Sequence, residues 1–222
     1  MRNDHTWSSV EQFFTEKLQP ESKNLEYVRK NNQRNGLPEI DVTPPQGKFL
    51  AMLAQLKEAK NILEIGTLGG YSTIWLAETL PQDCRLVTLE VDPTHVKTAQ
   101  KNIKKAGLED KITIIEGSAL ETLPTLQERG FSDFDFIFID ADKPNNPRYI
   151  EWALALAKKG AIIVSDNVVR DGEVINKNST DERVIGVRKF VNILSEDQRA
   201  DSVALQTVGE KGYDGFVLTI VQ

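Results

Sequence analysis

The spacing of apolar and polar positions along the chain changes repeatedly, and each change marks a short strand or a longer helix. The clearest stretch is FDFIFID, Phe134 to Asp140. In it Phe134, Phe136 and Phe138 alternate with Asp135, Ile137 and Ile139 before the apolar run stops at Asp140. Such a run predicts a buried strand that delivers a carboxylate to its C-terminal edge. Ala161–Ser165 ends the same way, in Asp166 and Asn167. Earlier strands are predicted at Asn61–Gly66, Arg85–Val91 and Lys111–Glu116. Between them, helical spacing covers Gln46–Lys57, with Phe49, Leu50, Met52, Leu53 and Leu56 as its buried face, and Tyr71–Leu80. Further helices are predicted at Pro93–Ala106 (opened by proline, closed by Gly107), Ala119–Arg129, Tyr149–Lys158 (capped by Gly160) and Val184–Leu194. Arg170–Glu182 is polar and reads as a mobile loop.

This alternation, with short turns, predicts an α/β fold: a doubly wound parallel sheet with helices on both faces. The end of the chain departs from it. Val203–Val208 and Phe216–Val221 are separated only by Gly209–Gly215, which is shorter than the roughly dozen residues of a parallel crossover. The last two strands therefore form an antiparallel hairpin. Residues 1–40 carry weaker helical patterns, through Trp7, Val10, Phe13, Phe14 and Leu18 and then Leu25, Tyr27 and Val28. They read as a helical arm on a single domain spanning 1–222, packed on the sheet or on a second subunit. Prolines from Pro38 to Pro45 separate the arm from the helix predicted at Gln46–Lys57.

Composition narrows the class. With 222 residues, 40% hydrophobic and 27% charged, the chain suits one globular domain with a large core. No apolar run approaches the roughly 20 residues of a membrane span, and the first residues lack the apolar segment of a secretory signal. One cysteine, Cys84, fits a reducing compartment. The net charge of −6 argues against phosphate-backbone binding as the main activity. A cytoplasmic enzyme or small-ligand binder is the starting class.

Two sets of residues carry candidate chemistry. The first strand-to-helix turn, EIGTLGGYS from Glu64 to Ser72, has glycines at 66, 69 and 70. They let the backbone turn tightly against a ligand at a helix N terminus, although a turn without a ligand fits them too. The GxGxxG dinucleotide spacing is broken at Leu68 and Tyr71. Glu90 ends the second strand, 24 residues after Gly66, where a carboxylate can accept both hydroxyls of a ribose. Glu64 lies inside a strand and needs a partner, which the ammonium of an amino-acid ligand could supply. Gly117-Ser118-Ala119 is placed to border an adenine. A glycine turn, a ribose acid and no pyrophosphate motif favour S-adenosylmethionine over NAD.

The second set is Asp140, Asp166 and Asn167. Three oxygen ligands without His or Cys suit Mg²⁺, Mn²⁺ or Ca²⁺ rather than Zn²⁺, and leave coordination positions open for a substrate. Either acid alone reads equally well as a helix cap; the pair, on strands expected to be adjacent, reads as a cation site. Lys143 sits one short turn from Asp140. It is an ordinary solvated lysine by position alone and a candidate general base beside a divalent cation. His5 and His95 are expected on exposed helices, and Cys84 is expected to be inert.

On these residues the chain resembles the cation-dependent O-methyltransferases, the family of catechol O-methyltransferase and caffeoyl-CoA O-methyltransferase. The resemblance runs from about Val42 to the C terminus. It rests on TPPQGKFL (43–50), LEIGTLGGYS (63–72), LEVDP (89–93), DFIFIDADK (135–143), SDN (165–167) and YDGFVLTIV (213–221). It implies a Rossmann-like class I methyltransferase fold, a seven-stranded, mostly parallel sheet in the order 3-2-1-4-5-7-6 with strand 7 antiparallel. It implies S-adenosylmethionine contacts at Val42, Glu64, Gly66, Thr67, Ser72, Glu90, Ala119 and Asp140, and a metal at Asp140, Asp166 and Asn167. It also implies Lys143 as general base, with the acceptor a small vicinal dihydroxy aromatic compound whose pocket is shaped by the arm and the Arg170–Glu182 loop. A homodimer is expected. The chain departs from plant members after DADK, where Pro144-Asn145-Asn146-Pro147 stands in place of a common aromatic residue. A second reading keeps donor and metal but makes the acceptor a hydroxylated uridine of tRNA, with Lys23, Arg29, Lys30 and Arg34 as a basic groove. A third, a non-catalytic nucleotide-binding module, leaves Glu90, Asp140, Lys143, Asp166 and Asn167 without a purpose.

Overall fold

The computed structural model describes residues 4–18 and 21–222. Its centre is β4 (Phe134–Ile139), every residue of which is buried. Phe136 and Phe138 pack into one hydrophobic cluster and Ile137 and Ile139 into another, so the alternation in sequence becomes two cores, one on each face. Around β4 lie β1 (Asn61–Ile65), β2 (Arg85–Glu90), β3 (Ile112–Glu116), β5 (Ala157–Asp166), β6 (Ala200–Gly209) and β7 (Gly212–Val221). The sheet order is β3-β2-β1-β4-β5-β7-β6. The first five strands pair in parallel, and β7 runs antiparallel to both β5 and β6, as the short hairpin connection requires.

One face is covered by α2 (Lys23–Arg34), α3 (Pro44–Leu56), α4 (Tyr71–Glu78) and α5 (Pro93–Ala106), the other by α6 (Ala119–Thr122), α7 (Asn146–Leu156) and α8 (Glu182–Glu196). The arm begins with α1 (Asp4–Leu18). Residues 1–3 and 19–20 of the predicted arm lie outside the described residues. The end signals work as the sequence suggests at α5: the Asp92 carboxylate accepts the Thr94 and His95 amides, and Gly107 closes the helix at φ 68°.

Several boundaries differ from expectation, each for a local reason. The buried face of α3 is Gly47, Leu50, Ala51 and Ala54, whereas Met52 and Leu56 are exposed. Small residues win that face because α3 lies close against α4; a Cβ at Gly47 would run into the Trp75 indole. Ala119–Arg129 is not one helix: α6 gives way to a tighter turn, Leu123–Thr125, at Pro124, which has no N–H to continue the ladder. α7 starts at Asn146 and stops at Leu156, because Ala157 and Lys158 already belong to β5; Gly160, at φ 78°, lies within that strand and caps nothing. The Arg170–Glu182 segment begins with a tight helical turn, Arg170–Ile175, whose entry is pinned by the Asp214 carboxylate accepting the Val169 and Arg170 amides at 2.8 and 3.1 Å.

Gly66, the residue after β1, has φ 99°, and a Cβ there would run into the Asp140 carbonyl after β4. Gly107 also has positive φ, but opens onto empty space. Urea denaturation should therefore separate two equal substitutions. Gly107→Ala is expected to cost about 1–2 kcal/mol, the cost of a left-handed L-residue. Gly66→Ala should cost clearly more, because two strands must also part. Equal costs would mean that β1 and β4 do not approach as closely as described.

Candidate active site

The strand order reverses between β1 and β4, so the chain leaves a crevice at the carboxyl ends of the parallel strands. Gly66, Glu90, Gly117, Asp140 and Asp166 each follow or end one of five neighbouring strands along that edge.

On the β1–β2 side, the turn from Gly66 to Gly70 wraps around Glu90. The Thr67 and Leu68 amides donate to Glu90 Oε2 at 3.2 and 2.8 Å, and the Val91 and Asp92 amides to Oε1 at 2.9 Å each. His95 is not the exposed bystander expected: it is partly buried, with Nδ1 3.4 Å from Glu90 Oε1. Glu64 is fully buried within β1 and accepts hydroxyl hydrogen bonds from Ser72 (2.6 Å), Thr73 (2.5 Å) and Thr88 (2.7 Å). Burial pushes its carboxyl up to about 7, against the pull of those three hydroxyls. Thr67 Oγ1 lies 2.6 Å from Thr88 Oγ1, which ties the turn to the same hydroxyl cluster. Ala119 opens α6 just beyond β3, and Val42 is buried ahead of α3.

Sequence reasoning missed how the arm holds this turn. Asn102 on α5 donates to the Gly69 carbonyl at 2.7 Å and to Asn32 Oδ1 on α2 at 2.9 Å, with both asparagines buried. Tyr71 donates to Glu21, which also pairs with Arg29 at 2.9 Å. The helical pattern through Leu25, Tyr27 and Val28 predicted that the arm packs, but nothing in it marked Asn32 or Glu21 as partners of the turn.

On the β4–β5 side, Ile139 pairs with Ser165, so Asp140 and Asp166 follow neighbouring residues on adjacent strands. Lys143 is buried and donates to Asp140 Oδ1 at 3.1 Å. Its turn packs beneath α8, where a side chain at Gly186 would collide with the Lys143 carbonyl. Tyr149 donates to Asp142 at 2.5 Å and steadies the same turn. Asp166 is buried and accepts from Gln46 Nε2 at 2.6 Å and from the Asn167 amide at 2.8 Å. Burial and the negative charge of Asp140 hold the Asp166 carboxyl above the usual range. Asn167 itself stands at φ 55°, a left-handed conformation that asparagine tolerates. Gln46 lies in the TPPQGKFL stretch, but nothing in its spacing marked it as a partner of Asp166. Among the described residues no group of three or more His, Cys, Asp or Glu side chains suits a metal ion. The set here is two carboxylates, one amide and a lysine.

Beside this set opens a cavity of about 770 Å³, lined by Trp7, Val10 and Phe14 of α1, by Phe49 of α3, by Phe216 of β7, and by Asp166 and Asn167. The Phe49 and Phe216 rings are 5.3 Å apart. Its far wall is the β6–β7 hairpin, from Leu205 to Gly212, and not the Arg170–Glu182 loop as the resemblance implied. No helix of the described residues is long and apolar enough to cross a membrane.

Comparison with known proteins agrees with this arrangement. The family model described as O-methyltransferase matches residues 15–219. A catechol O-methyltransferase of Niastella koreensis is 49% identical over 220 residues, covering 99% of this chain and 100% of that protein. Among solved structures, an O-methyltransferase from Bacillus cereus in complex with SAH superposes with a TM-score of 0.96 at 50% identity, covering 98% of this chain and 99% of that one. TomG of Streptomyces achromogenes, involved in tomaymycin synthesis and solved with SAM, gives a TM-score of 0.96 at 42% identity, with both chains covered completely. With its family model, its sheet order and its full-length relatives in agreement, this chain belongs to the O-methyltransferase family and is an S-adenosylmethionine-dependent methyltransferase.

Proposed function

We propose that the enzyme methylates one of two neighbouring hydroxyls on an aromatic small molecule, with a divalent cation held by Asp140, Asp166 and Asn167. The observation that carries the reading is the convergence of Asp140, Lys143, Asp166 and Asn167 beside a cavity walled by aromatic side chains. The catechol O-methyltransferase name of the Niastella relative supports the acceptor class. The donor set fits a hard cation: two neighbouring carboxylates, one of them buried with its charge opposed by the other, are relieved by a bound divalent ion. Such an ion supplies Lewis-acid polarisation that lowers the pKa of an acceptor hydroxyl.

The chain's own residues do the rest. Glu64, cradled by three hydroxyls, offers its carboxylate to the donor's ammonium. Glu90, held by four backbone amides, shares its oxygens with the ribose hydroxyls, and Gly66 lets the backbone lie close to the donor. Val42, Thr67, Ser72 and Ala119 complete the donor's surroundings. Lys143 takes the acceptor's hydroxyl proton at Nζ. The acceptor oxygen then bonds to the sulfonium methyl as the carbon–sulfur bond breaks and sulfur keeps the electron pair. Positioning and charge stabilisation dominate such a transfer.

The cavity's charged residues, Glu11, Asp41, Asp166 and Asp214 against Lys211, favour a small molecule over a tRNA phosphate chain. Arg29 and Lys30 of the supposed basic groove face Glu21 and Glu26. We read residues 1–222 as one catalytic domain, working in the cytoplasm, where its buried, unpaired Cys84 is at home. We also read it as a homodimer, because Val10, Phe13, Phe14 and Leu18 of α1 are each about half exposed or more.

Methyl transfer from labelled S-adenosylmethionine to catechol should require Mg²⁺ and stop with EDTA. Lys143→Met should lower kcat by about 10²- to 10⁴-fold while calorimetric donor affinity changes little; equal loss of both would remove Lys143 from the chemistry. Donor affinity should rise with pH through about 7, as Glu64 ionises to meet the ammonium. The stability of the donor-free protein should move the other way. A carboxyl raised from 4.5 to about 7 binds its proton more tightly when folded, so its contribution is full below pH 4.5 and fades towards pH 7. Glu64→Gln should flatten both profiles relative to the parent. Sedimentation should report a dimer, and Phe13→Asp a monomer if α1 forms the contact; a dimer that survives places the interface elsewhere.

A further inference from the structure

Asp140 and Asp166 are held by partners of different kinds. Lys143 sets a positive charge against Asp140 at 3.1 Å. Asp166 is the more deeply buried of the two, and both of its hydrogen-bond partners are neutral. Gln46 Nε2 donates to Oδ2 at 2.6 Å and the Asn167 amide to Oδ1 at 2.8 Å. A carboxylate offers two acceptor directions on each oxygen, so Asp166 keeps one on each.

Gln46 makes this contact instead of capping its own helix. Thr43 precedes α3 as its cap and Gln46 is the third helical residue. That is the spacing of a capping box, in which the threonine hydroxyl and the glutamine side chain close the helix start reciprocally. The box is not made. Thr43 forms no side-chain cap hydrogen bond, and Gln46 is turned across to a residue 120 positions away. The next residue fixes where α3 lies, because a Cβ at Gly47 would run into the Trp75 indole. Gln46 also lines the cavity beside Asn167, so it stands between the helix wall and the two carboxylates.

Resting on the cation reading above, we propose that Gln46 is the positioning residue of the cation site. It holds the Asp166 carboxylate in one orientation beside Asp140, and being uncharged it does so without cancelling the charge that a divalent ion requires. A lysine at this position could donate to the same oxygen but would pair with it as an ion. An apolar side chain would keep the charge and release the orientation. Position 46 therefore calls for a donor that is neutral, which an amide supplies.

The test measures Mn²⁺ affinity by electron paramagnetic resonance on the full-length chain saturated with S-adenosylmethionine, and donor affinity separately by calorimetry. Gln46→Met removes the donor at similar length, and Gln46→Lys keeps a donor but adds a charge. Each is expected to weaken Mn²⁺ binding by about tenfold or more with donor affinity unchanged. Mn²⁺ held as tightly by Gln46→Met as by the parent overturns the proposal, and so does full affinity in Gln46→Lys. Parallel loss of donor and Mn²⁺ binding in both variants overturns it as well, because Gln46 would then serve the fold and not the site. Asp140→Ala separates the remaining failure. A parent that binds no Mn²⁺, or binds it no more tightly than Asp140→Ala does, sinks the cation reading itself and this inference with it.

Discussion

The site depends on two carboxylates set side by side at the ends of β4 and β5. Parallel pairing of Ile139 with Ser165 leaves Asp140 and Asp166 no freedom to separate, and the cores on both faces of β4 hold that register. Like charges so placed repel, and burial adds to the cost for Asp166. The protein offsets this with contacts from distant parts of the chain: Lys143 on Asp140, and Gln46 with the Asn167 amide on Asp166. The balance is incomplete: two carboxylates face one lysine, and the remaining partners, an amide side chain and a backbone N–H, are neutral.

Glu64 shows a different solution to the same difficulty on the β1–β2 side. Its charge is met by hydroxyls from Ser72, Thr73 and Thr88 and by no lysine or arginine. Neutral donors stabilise a carboxylate without cancelling it, so an ammonium-bearing ligand still gains by approaching. A permanent salt bridge at Glu64 would have given a firmer strand and cancelled that charge. Glu90 is treated in the same manner, with backbone amides as its partners.

Much of this was legible in the sequence because it obeys local rules. The apolar run that stops at Asp140 marks a buried strand whatever surrounds it, and a link of seven residues at most, which pairing shortens to two, forces a hairpin. The opposed pair of acids could be read because strand ends in a parallel sheet share one edge. The features that escaped were set by tertiary contact. The exposure of Met52 and Leu56 comes from how closely α3 approaches Trp75, which no periodicity encodes. Gln46, Asn32, Asn102 and Glu11 are ordinary polar residues in sequence; their partners lie far along the chain, as Gln46 and Asp166 are 120 residues apart. The helices that ended early did so at Pro124 and at Ala157, where proline and strand pairing override helical spacing.

The two helices of the arm meet different parts of the molecule. Its second helix reaches the Gly66–Gly70 turn through Asn32 and Asn102, packed so closely that a side chain at Gly69 would run into Asn32. Its first helix lines the cavity beside Asp166 and is fastened to the hairpin tip through Glu11. Substitution on α1 therefore changes the cavity wall at little cost to the sheet, since most of its large apolar residues stand outside the two cores. The candidate groups lie at strand ends, where a shift of one residue would turn every side chain to the other face. The candidate groups are placed by the sheet, and the cavity beside them is walled by a helix laid over it.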